Sequence, residues 1–270
     1  FQEQWDYALE QDVPFIFVTG WNEWIAGRWQ SQDGNPEHSY FVDQADPEYS
    51  RDIEPTYTAG LKDTYYMQLV ANVRKYKGMA PQPLAGPAKT IQTLSDWDDV
   101  EPVYLDYKKD TEDRVHPGAE RNPEKTYTNT TGRNDFYRMK VARDSENLYF
   151  YVETVNDITE NTGSNWMRLF INSDRNHETG WFGYDYRVEG GKQLQEYIDN
   201  QWKTIGVIST IVKGNLLTYT ISLDAMKTIG DALNIEFKWS DNMQKEDPMD
   251  WYLNGDVAPG GRFNFVYTTE

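Results

Sequence analysis

The chain carries the runs Leu148-Tyr-Phe-Tyr-Val152 and Leu217-Thr-Tyr-Thr-Ile-Ser-Leu223, in which more apolar and less apolar side chains alternate. Because successive side chains of a strand point to opposite faces, such runs can bury one face in a core. Further strand-like runs, with turn residues between them, lie at 135–143, 167–171, 184–189, 202–208, 235–240 and 262–267. Strands at this spacing are typical of a β-sandwich, so we predict a two-sheet β-sandwich in the C-terminal part of the chain.

The N-terminal part of the chain follows a different pattern. Residues 1–10 show helical spacing, 13–19 form an apolar run typical of a buried parallel strand, and 61–76 show the pattern of an amphipathic helix. These elements predict an α/β unit, far too short for a complete (β/α)₈ TIM barrel of about 250 residues. A stretch with three prolines then predicts an extended linker. The predicted chain is mainly β, with a small α/β remnant of a TIM barrel at 1–78, a linker at 79–90 and the sandwich at 91–270.

Composition narrows the range of partners. The chain has 44 acidic and 26 basic residues, a formal net charge of -18, which repels nucleic-acid phosphates and anionic membrane surfaces. The same charge suits Ca²⁺, which prefers carboxylate and carbonyl oxygens. There is no cysteine, so disulfides, thiol catalysis and cysteine-based zinc sites are excluded. No apolar run is long enough to span a membrane, and the aromatic content of 15% suits either stacking on flat ligands or a β-sandwich core.

A carboxylate between two indoles follows the predicted strand, in the sequence Trp21-Asn-Glu-Trp24. In barrel enzymes the carboxyl ends of the strands carry the active site, and tryptophan rings stack on sugars. Glu23 is therefore a candidate general acid or base, and Asn22 is a candidate to orient it or to bind a sugar hydroxyl. The alternative is that Glu23 accepts a backbone N–H and that the tryptophans are core residues.

This motif resembles the last-strand motif of barrel enzymes related to endo-acting mannosidases and their WbsX-like relatives. The resemblance implies that Glu23, with Asn22 beside it, belongs to the catalytic site of a longer parent glycoside hydrolase. Those enzymes place a second Glu three residues after the first, where this chain has Ala26, and glycoside hydrolysis ordinarily uses two carboxylates. Because a barrel fragment with one strand cannot form a substrate cleft, we expect no hydrolysis by these 270 residues alone. The strand at 13–19, without barrel neighbours, is expected to pair with the sandwich or to drive self-association.

The segment from Trp166 to Glu189 predicts a strand, an acidic turn and a second strand. Asp174, Asn176 and Asp185 lie near this turn, and closely spaced oxygen ligands in a loop can hold Ca²⁺. These three residues are therefore the candidate ligands of a calcium ion. Without an ion, Asp174 and Asn176 would instead cap an Asx-turn, in which a side-chain oxygen accepts the backbone N–H two residues later.

A resemblance to family 9 carbohydrate-binding modules and their relatives covers this segment and four others: Ser95–Asp99, Leu148–Thr154, Phe237–Asn242 and Asp250–Asp256. The resemblance implies a two-sheet sandwich, a structural cation and a saccharide held between aromatic rings. It also implies a secreted, periplasmic or cell-surface protein. The candidate sugar-binding residues are Trp166, Trp181, Trp239, Trp251, Asp241 and Asn242. Each tryptophan could equally lie in the core, and the last two residues could simply turn the chain.

Three functions are compatible with these patterns. The first is a carbohydrate-binding module that binds an oligo- or polysaccharide and is attached to the C-terminal end of a glycoside-hydrolase-like barrel. The second is catalysis by Glu23 in a full-length glycoside hydrolase. The third is a structural appendage without sugar binding. An exposed aromatic pair facing a groove would favour the first function, and an apolar sandwich face without a groove would favour the third.

Overall fold

The computed structural model describes residues 1–22, 28–29, 40–41, 52–56, 60–111, 113–117, 126–161, 164–227 and 232–270. The chain divides into two compact units, Phe1–Pro81 and Gln82–Glu270. The division falls within the proline-containing stretch. In these ranges no helix is both long and apolar enough to cross a membrane.

In its described residues the N-terminal unit contains two helices and a short antiparallel ladder. Its elements are α1 (Gln2–Glu10), β1 (Arg28–Trp29), β2 (Tyr40–Phe41) and α2 (Thr64–Lys77). Trp5 of α1 is buried. The side-chain amides of Gln2 and Asn72 exchange hydrogen bonds of 3.1 and 2.8 Å, which join the two helices. Both helices predicted from the periodicity are therefore present.

Residues 13–19 do not form the buried strand that their apolar sequence predicts. They belong to no ladder among the described residues, and Phe15 and Phe17 are 73% and 77% exposed. The physical reason is that a parallel strand takes its hydrogen bonds and its two buried faces from neighbouring elements. The described part of this unit places no strand beside these residues. The assignment of the unit to a barrel stays a prediction.

The C-terminal unit is a β-sandwich of antiparallel strands. They are β3 (Val103–Leu105), β4 (Arg114–Pro117), β5 (Thr126–Asn129), β6 (Phe136–Arg143), β7 (Asn147–Thr154), β8 (Arg168–Asn172), β9 (Tyr186–Glu189), β10 (Gln193–Ile198), β11 (Gln201–Val207), β12 (Ser209–Lys213), β13 (Leu216–Ser222), β14 (Asn234–Asp241), β15 (Asp256–Ala258) and β16 (Phe265–Thr268). A seven-stranded sheet has the order β11-β10-β9-β8-β14-β15, with β16 also paired to β14. A five-stranded sheet has the order β12-β13-β7-β6-β3, and β4 pairs with β5 separately. The predicted mainly β architecture is confirmed, and the sheets are antiparallel.

The two sheets share one hydrophobic core, built from the inward-facing side chains that the alternation predicts. Leu217, Tyr219 and Ile221 of β13 are fully buried in it, because every second residue of a strand faces the same side. Trp239 of β14 stacks on Tyr219, with ring centroids 5.2 Å apart. Burying one large apolar side chain stabilises the fold by about 1.5–3 kcal/mol, so this layer fixes how the sheets face each other.

The outer face of each sheet is covered as well. Trp97 packs on Tyr151 of the five-stranded sheet, and its Nε1 donates to the Thr218 hydroxyl at 3.0 Å. On the seven-stranded sheet, Phe170 stacks with Trp181, with ring centroids 5.4 Å apart, inside a second aromatic cluster. Many aromatic residues of the sandwich therefore lie in three buried layers.

Replacement of Trp97 by alanine is expected to lower the free energy of unfolding by about 3–5 kcal/mol, because it removes a buried ring and leaves the Thr218 hydroxyl without its donor. Leu105→Ala, at a position 60% exposed, is the control and is expected to change that free energy by less than about 0.5 kcal/mol. Urea denaturation followed by circular dichroism measures both. Equal effects in the two variants would show that the Trp97 segment is not part of the folded sandwich.

Candidate functional site

The four tryptophans predicted to stack on a sugar lie inside the protein. Trp239, Trp166, Trp251 and Trp181 are 0%, 4%, 5% and 6% exposed. The first two belong to the core between the sheets, and the other two pack on Phe170. All four therefore lie in buried aromatic or apolar clusters, and Trp251 also lines the cleft described below. The reason for their burial is that a sandwich with two covered outer faces needs large rings in all three of its layers. A role for these tryptophans in sugar binding stays a prediction.

Asp241 and Asn242 are likewise used internally. The buried Asp241 carboxylate accepts two hydrogen bonds of 2.7 Å from the Arg133 guanidinium and one of 2.8 Å from the Met167 N–H. Asn242 has a φ of 58°, and its side-chain amide donates to the Thr131 carbonyl at 2.6 Å. Neither side chain is placed to bind a sugar hydroxyl, because each has its partners within the fold. Asn242 turns the chain after β14.

The predicted calcium ligands form a hydrogen-bonded loop. Asp174 Oδ1 accepts the Asn176 N–H at 2.8 Å, and Asn176 Oδ1 accepts the Glu178 N–H at 3.0 Å, so both side chains make Asx-turns. The Asp185 carboxylate accepts the N–H and the hydroxyl of Ser173 at 2.8 and 2.7 Å, and burial raises the pKa of this carboxyl. Asp174 and Asn176 therefore make the Asx-turns of the alternative, and their role as calcium ligands stays a prediction. A group of converging carboxylates lies elsewhere.

Of the predicted catalytic pair, Asn22 is described and Glu23 lies outside the described residues. The Asn22 side-chain amide donates to Glu54 Oε2 at 3.1 Å. The two segments also meet through their backbones, since the Glu54 N–H donates to the Trp21 carbonyl at 2.9 Å. The catalytic role of Glu23 stays a prediction.

Three aspartates converge at one edge of the sandwich. Asp106 follows β3, Asp110 lies just beyond it, Asp256 opens β15, and one carboxylate oxygen of each lies within 4.8 Å of the other two. Asp106 is fixed by its N–H, which donates to the Tyr137 carbonyl at 3.0 Å. Asp256 is fixed by its carboxylate, which accepts the Phe136 N–H at 2.6 Å. The start of β6 therefore brings together carboxylates from both sheets.

The surroundings of this acidic triad (Asp106, Asp110 and Asp256) disfavour negative charge. Burial, followed by the charge of Asp110, raises the pKa of Asp106 to about 7. Burial also raises the pKa of Asp256 well above its ordinary value, and it raises the pKa of Asp110 and of the neighbouring Asp135. One buried oxygen of Asp106 and one of Asp135 have no hydrogen-bond partner in the part of the chain that the structure describes. A buried carboxylate oxygen that accepts no hydrogen bond is energetically unfavourable. Such an oxygen is well suited to bind a cation.

A cleft of about 210 Å³ adjoins the triad. Its walls come from residues within the segments 110–114, 129–132, 251–257 and 260–261, and Asp110 and Asp256 both line it. The other lining groups include Tyr252, Thr131, Arg114 and Asn254. The acidic cleft thus combines carboxylate, hydroxyl, guanidinium and amide groups with two aromatic residues, Trp251 and Tyr252.

A glycine and a chain of hydrogen bonds shape one wall of the acidic cleft. Gly255 has a φ of 65°, and a Cβ there would meet the Asp241 carbonyl oxygen at 2.0 Å. The Gly255 N–H donates to the Thr131 hydroxyl at 2.9 Å, and this hydroxyl donates to Asn129 Oδ1 at 2.6 Å. The Asn129 amide donates in turn to the Leu253 carbonyl. The end of β5 is therefore tied to the turn before β15, and these two segments form facing walls.

Comparison with family models, curated proteins and solved structures finds no match for the chain. The geometry of the acidic cleft is therefore the basis for functional inference. Carboxylate oxygens that converge in a partly buried place suit a hard divalent cation such as Ca²⁺. The polar lining groups suit a ligand with many hydroxyls, which both donate and accept hydrogen bonds.

In protein stripped of divalent cations, the acidic triad is expected to lower stability as the pH rises. The pKa of Asp106 is about 7 in the folded protein and 3.8 ordinarily, so its stabilising contribution is full below about pH 4 and is lost as the pH rises through about 7. Between those values the stability of wild type relative to Asp106→Asn is expected to fall by about 4 kcal/mol, because each pH unit between the two pKa values contributes about 1.4 kcal/mol. Urea unfolding with a chelator present measures this difference at each pH. A difference that does not change with pH would contradict the expectation.

Proposed function

We propose that the sandwich is a carbohydrate-binding module that takes an oligo- or polysaccharide in the acidic cleft and holds Ca²⁺ at the acidic triad. One observation carries the proposal: Asp110 and Asp256 belong to both features, since they line the cleft and also converge with Asp106. A cation bound there would stabilise the walls against which a saccharide lies.

The donor set supports the cation. Ca²⁺ takes about six to eight oxygen ligands, which can be carboxylates, carbonyls or water. The acidic triad supplies three carboxylates, and Asp135, whose charge acts on both Asp106 and Asp256, has a buried oxygen without a donor. The ion would neutralise charges that burial disfavours, and it would thereby strengthen the junction between the two sheets.

The lining of the acidic cleft supports a saccharide. Sugar hydroxyls donate to carboxylates and accept from guanidinium and amide groups, and Asp110, Arg114 and Asn254 offer these three kinds of group. The ring of Tyr252 packs against Gly261 and offers an apolar surface to the face of a sugar ring. The resemblance to family 9 carbohydrate-binding modules points in the same direction.

A second candidate function concerns the N-terminal unit. We propose that this unit is part of the barrel of a longer glycoside hydrolase, which is secreted or lies at the cell surface. Glu23 would be a catalytic carboxylate of that enzyme. The hydrogen bond from Asn22 to Glu54 favours it, because it brings a further carboxylate beside the residue that precedes Glu23. Glu54 could then supply the second carboxylate that Ala26 does not. The exposed segment 13–19 would pair with the rest of that barrel or with a second copy. Hydrolysis retained by a full-length Glu23→Gln protein would exclude this function.

Removal of one ligand from the acidic triad is expected to weaken calcium binding. Asp110→Asn turns a carboxylate into a neutral amide, so the affinity for Ca²⁺ is expected to fall about tenfold or more. Asp113→Asn removes the same charge from an exposed position outside the triad and is expected to keep the affinity within about twofold. Isothermal titration calorimetry of chelator-treated protein measures both affinities. Equal affinities in the two variants would place the ion elsewhere.

A glycan array probed with the 270-residue protein is expected to identify a bound saccharide, and Tyr252→Ala is expected to weaken that binding about tenfold or more, as truncation of a central aromatic contact does. Phe182→Ala, which removes a ring 56% exposed outside the acidic cleft, is the control and is expected to bind as wild type does. Binding that survives Tyr252→Ala would move the sugar site to another surface. No binding of any glycan by wild type would favour the structural appendage.

A further inference from the structure

Lys238 is a buried lysine near the acidic triad. It lies in the middle of β14 and is fully buried. In the part of the chain that the structure describes, the only side-chain hydrogen bond of Lys238 goes from Nζ to the Pro259 carbonyl, just beyond β15. The Nζ also lies 5.0 Å from the centre of the Trp251 ring. An ammonium group thus sits beside the strand that carries Asp256.

Burial of this ammonium is unfavourable, and nearby negative charges offset part of the cost. Burial lowers the pKa of Lys238 to about 7, while the charges of Asp106 and Asp256 act in the opposite direction. The Trp251 ring adds a cation–π attraction. Burial in turn disfavours the negative charges of the same two carboxylates. The positive charge of the lysine and the negative charges of the aspartates therefore stabilise one another.

We infer that the Lys238 ammonium is the internal counter-charge of the acidic triad and that it limits the affinity of the triad for a divalent cation. This inference rests on the proposed cation site and names the residue that sets its affinity. A unit charge repels a divalent ion over several ångströms inside a protein, where the effective dielectric constant is about 20. Removing the ammonium while keeping the apolar stem is therefore expected to strengthen cation binding.

The test compares Lys238→Met with Lys140→Met. Methionine fills the space of the lysine stem without the charge. Lys140 is the matched control because it is also buried, at 8% exposure, and its Nζ also donates to a backbone carbonyl, that of Trp97, at 2.6 Å. That contact belongs to the outer face of the five-stranded sheet, away from the triad. The affinity for Tb³⁺ is measured by tryptophan-sensitised luminescence, and that for Ca²⁺ by competition.

Lys238→Met is expected to bind the cation about tenfold or more tightly than wild type, and Lys140→Met within about twofold of wild type. Equal affinity in wild type and Lys238→Met would overturn the inference, as would equal gains in both variants. If wild type binds no cation while Lys238→Met does, the result would contradict the proposed cation site of the wild-type protein and would support the role of Lys238. Binding by neither protein would overturn both. If Lys238→Met does not fold, Lys238→Gln, which keeps a donor for the Pro259 carbonyl, carries the same expectation.

Discussion

Strand β14 is buried on both of its faces along seven of its eight residues. Its polar side chains must therefore find partners within the fold, since a buried polar group without one is strongly unfavourable. Asp241 binds Arg133, which joins the strand to the residues before β6. Ser240 accepts the Nε1 proton of Trp251 at 3.2 Å, and Lys238 binds the Pro259 carbonyl. These contacts fix the segments on either side of β15, and those segments are walls of the acidic cleft.

The aromatic richness of the chain serves this arrangement more than it serves ligand stacking. A net charge of -18 opposes compaction, and large buried rings supply apolar area to offset it. Trp97, Phe170 and Trp239 each stand in a different buried layer. Because most of its tryptophans are buried, the sandwich presents a mainly polar cleft beside the carboxylates whose pKa values burial raises most. The proposed saccharide would be recognised there through hydrogen bonds and charge, with Trp251 and Tyr252 as the aromatic residues of the lining.

Strands with clear alternation could be predicted from the sequence, whereas several strands without it were missed. Asn147–Thr154 and Leu216–Ser222 appear where alternation places them, because one face of each enters the core. Gln193–Ile198 and Ser209–Lys213 are mostly half-buried or exposed, so burial imposes no repeating pattern on their residues. The prediction of a buried strand at 13–19 was wrong for the opposite reason. Its composition indicates burial between neighbours, and the described part of its unit supplies none.

The acidic triad could not be predicted from the sequence. Its chemistry depends on carboxylate oxygens that receive no hydrogen bond, and the spacing of residues along the chain does not reveal them. Asp174 and Asp185 sit in a loop whose own N–H groups satisfy them, so their spacing indicates a turn as readily as an ion site. Asp106 and Asp256 come from different sheets and meet only where β6 begins. There one oxygen of Asp106 is left without any donor. A proton or a cation can satisfy that oxygen, and the two compete for it. The proposed cation site would therefore couple stability, pH and metal binding at one place in the fold, and the buried Lys238 ammonium, whose own pKa burial lowers to about 7, would take part in that competition.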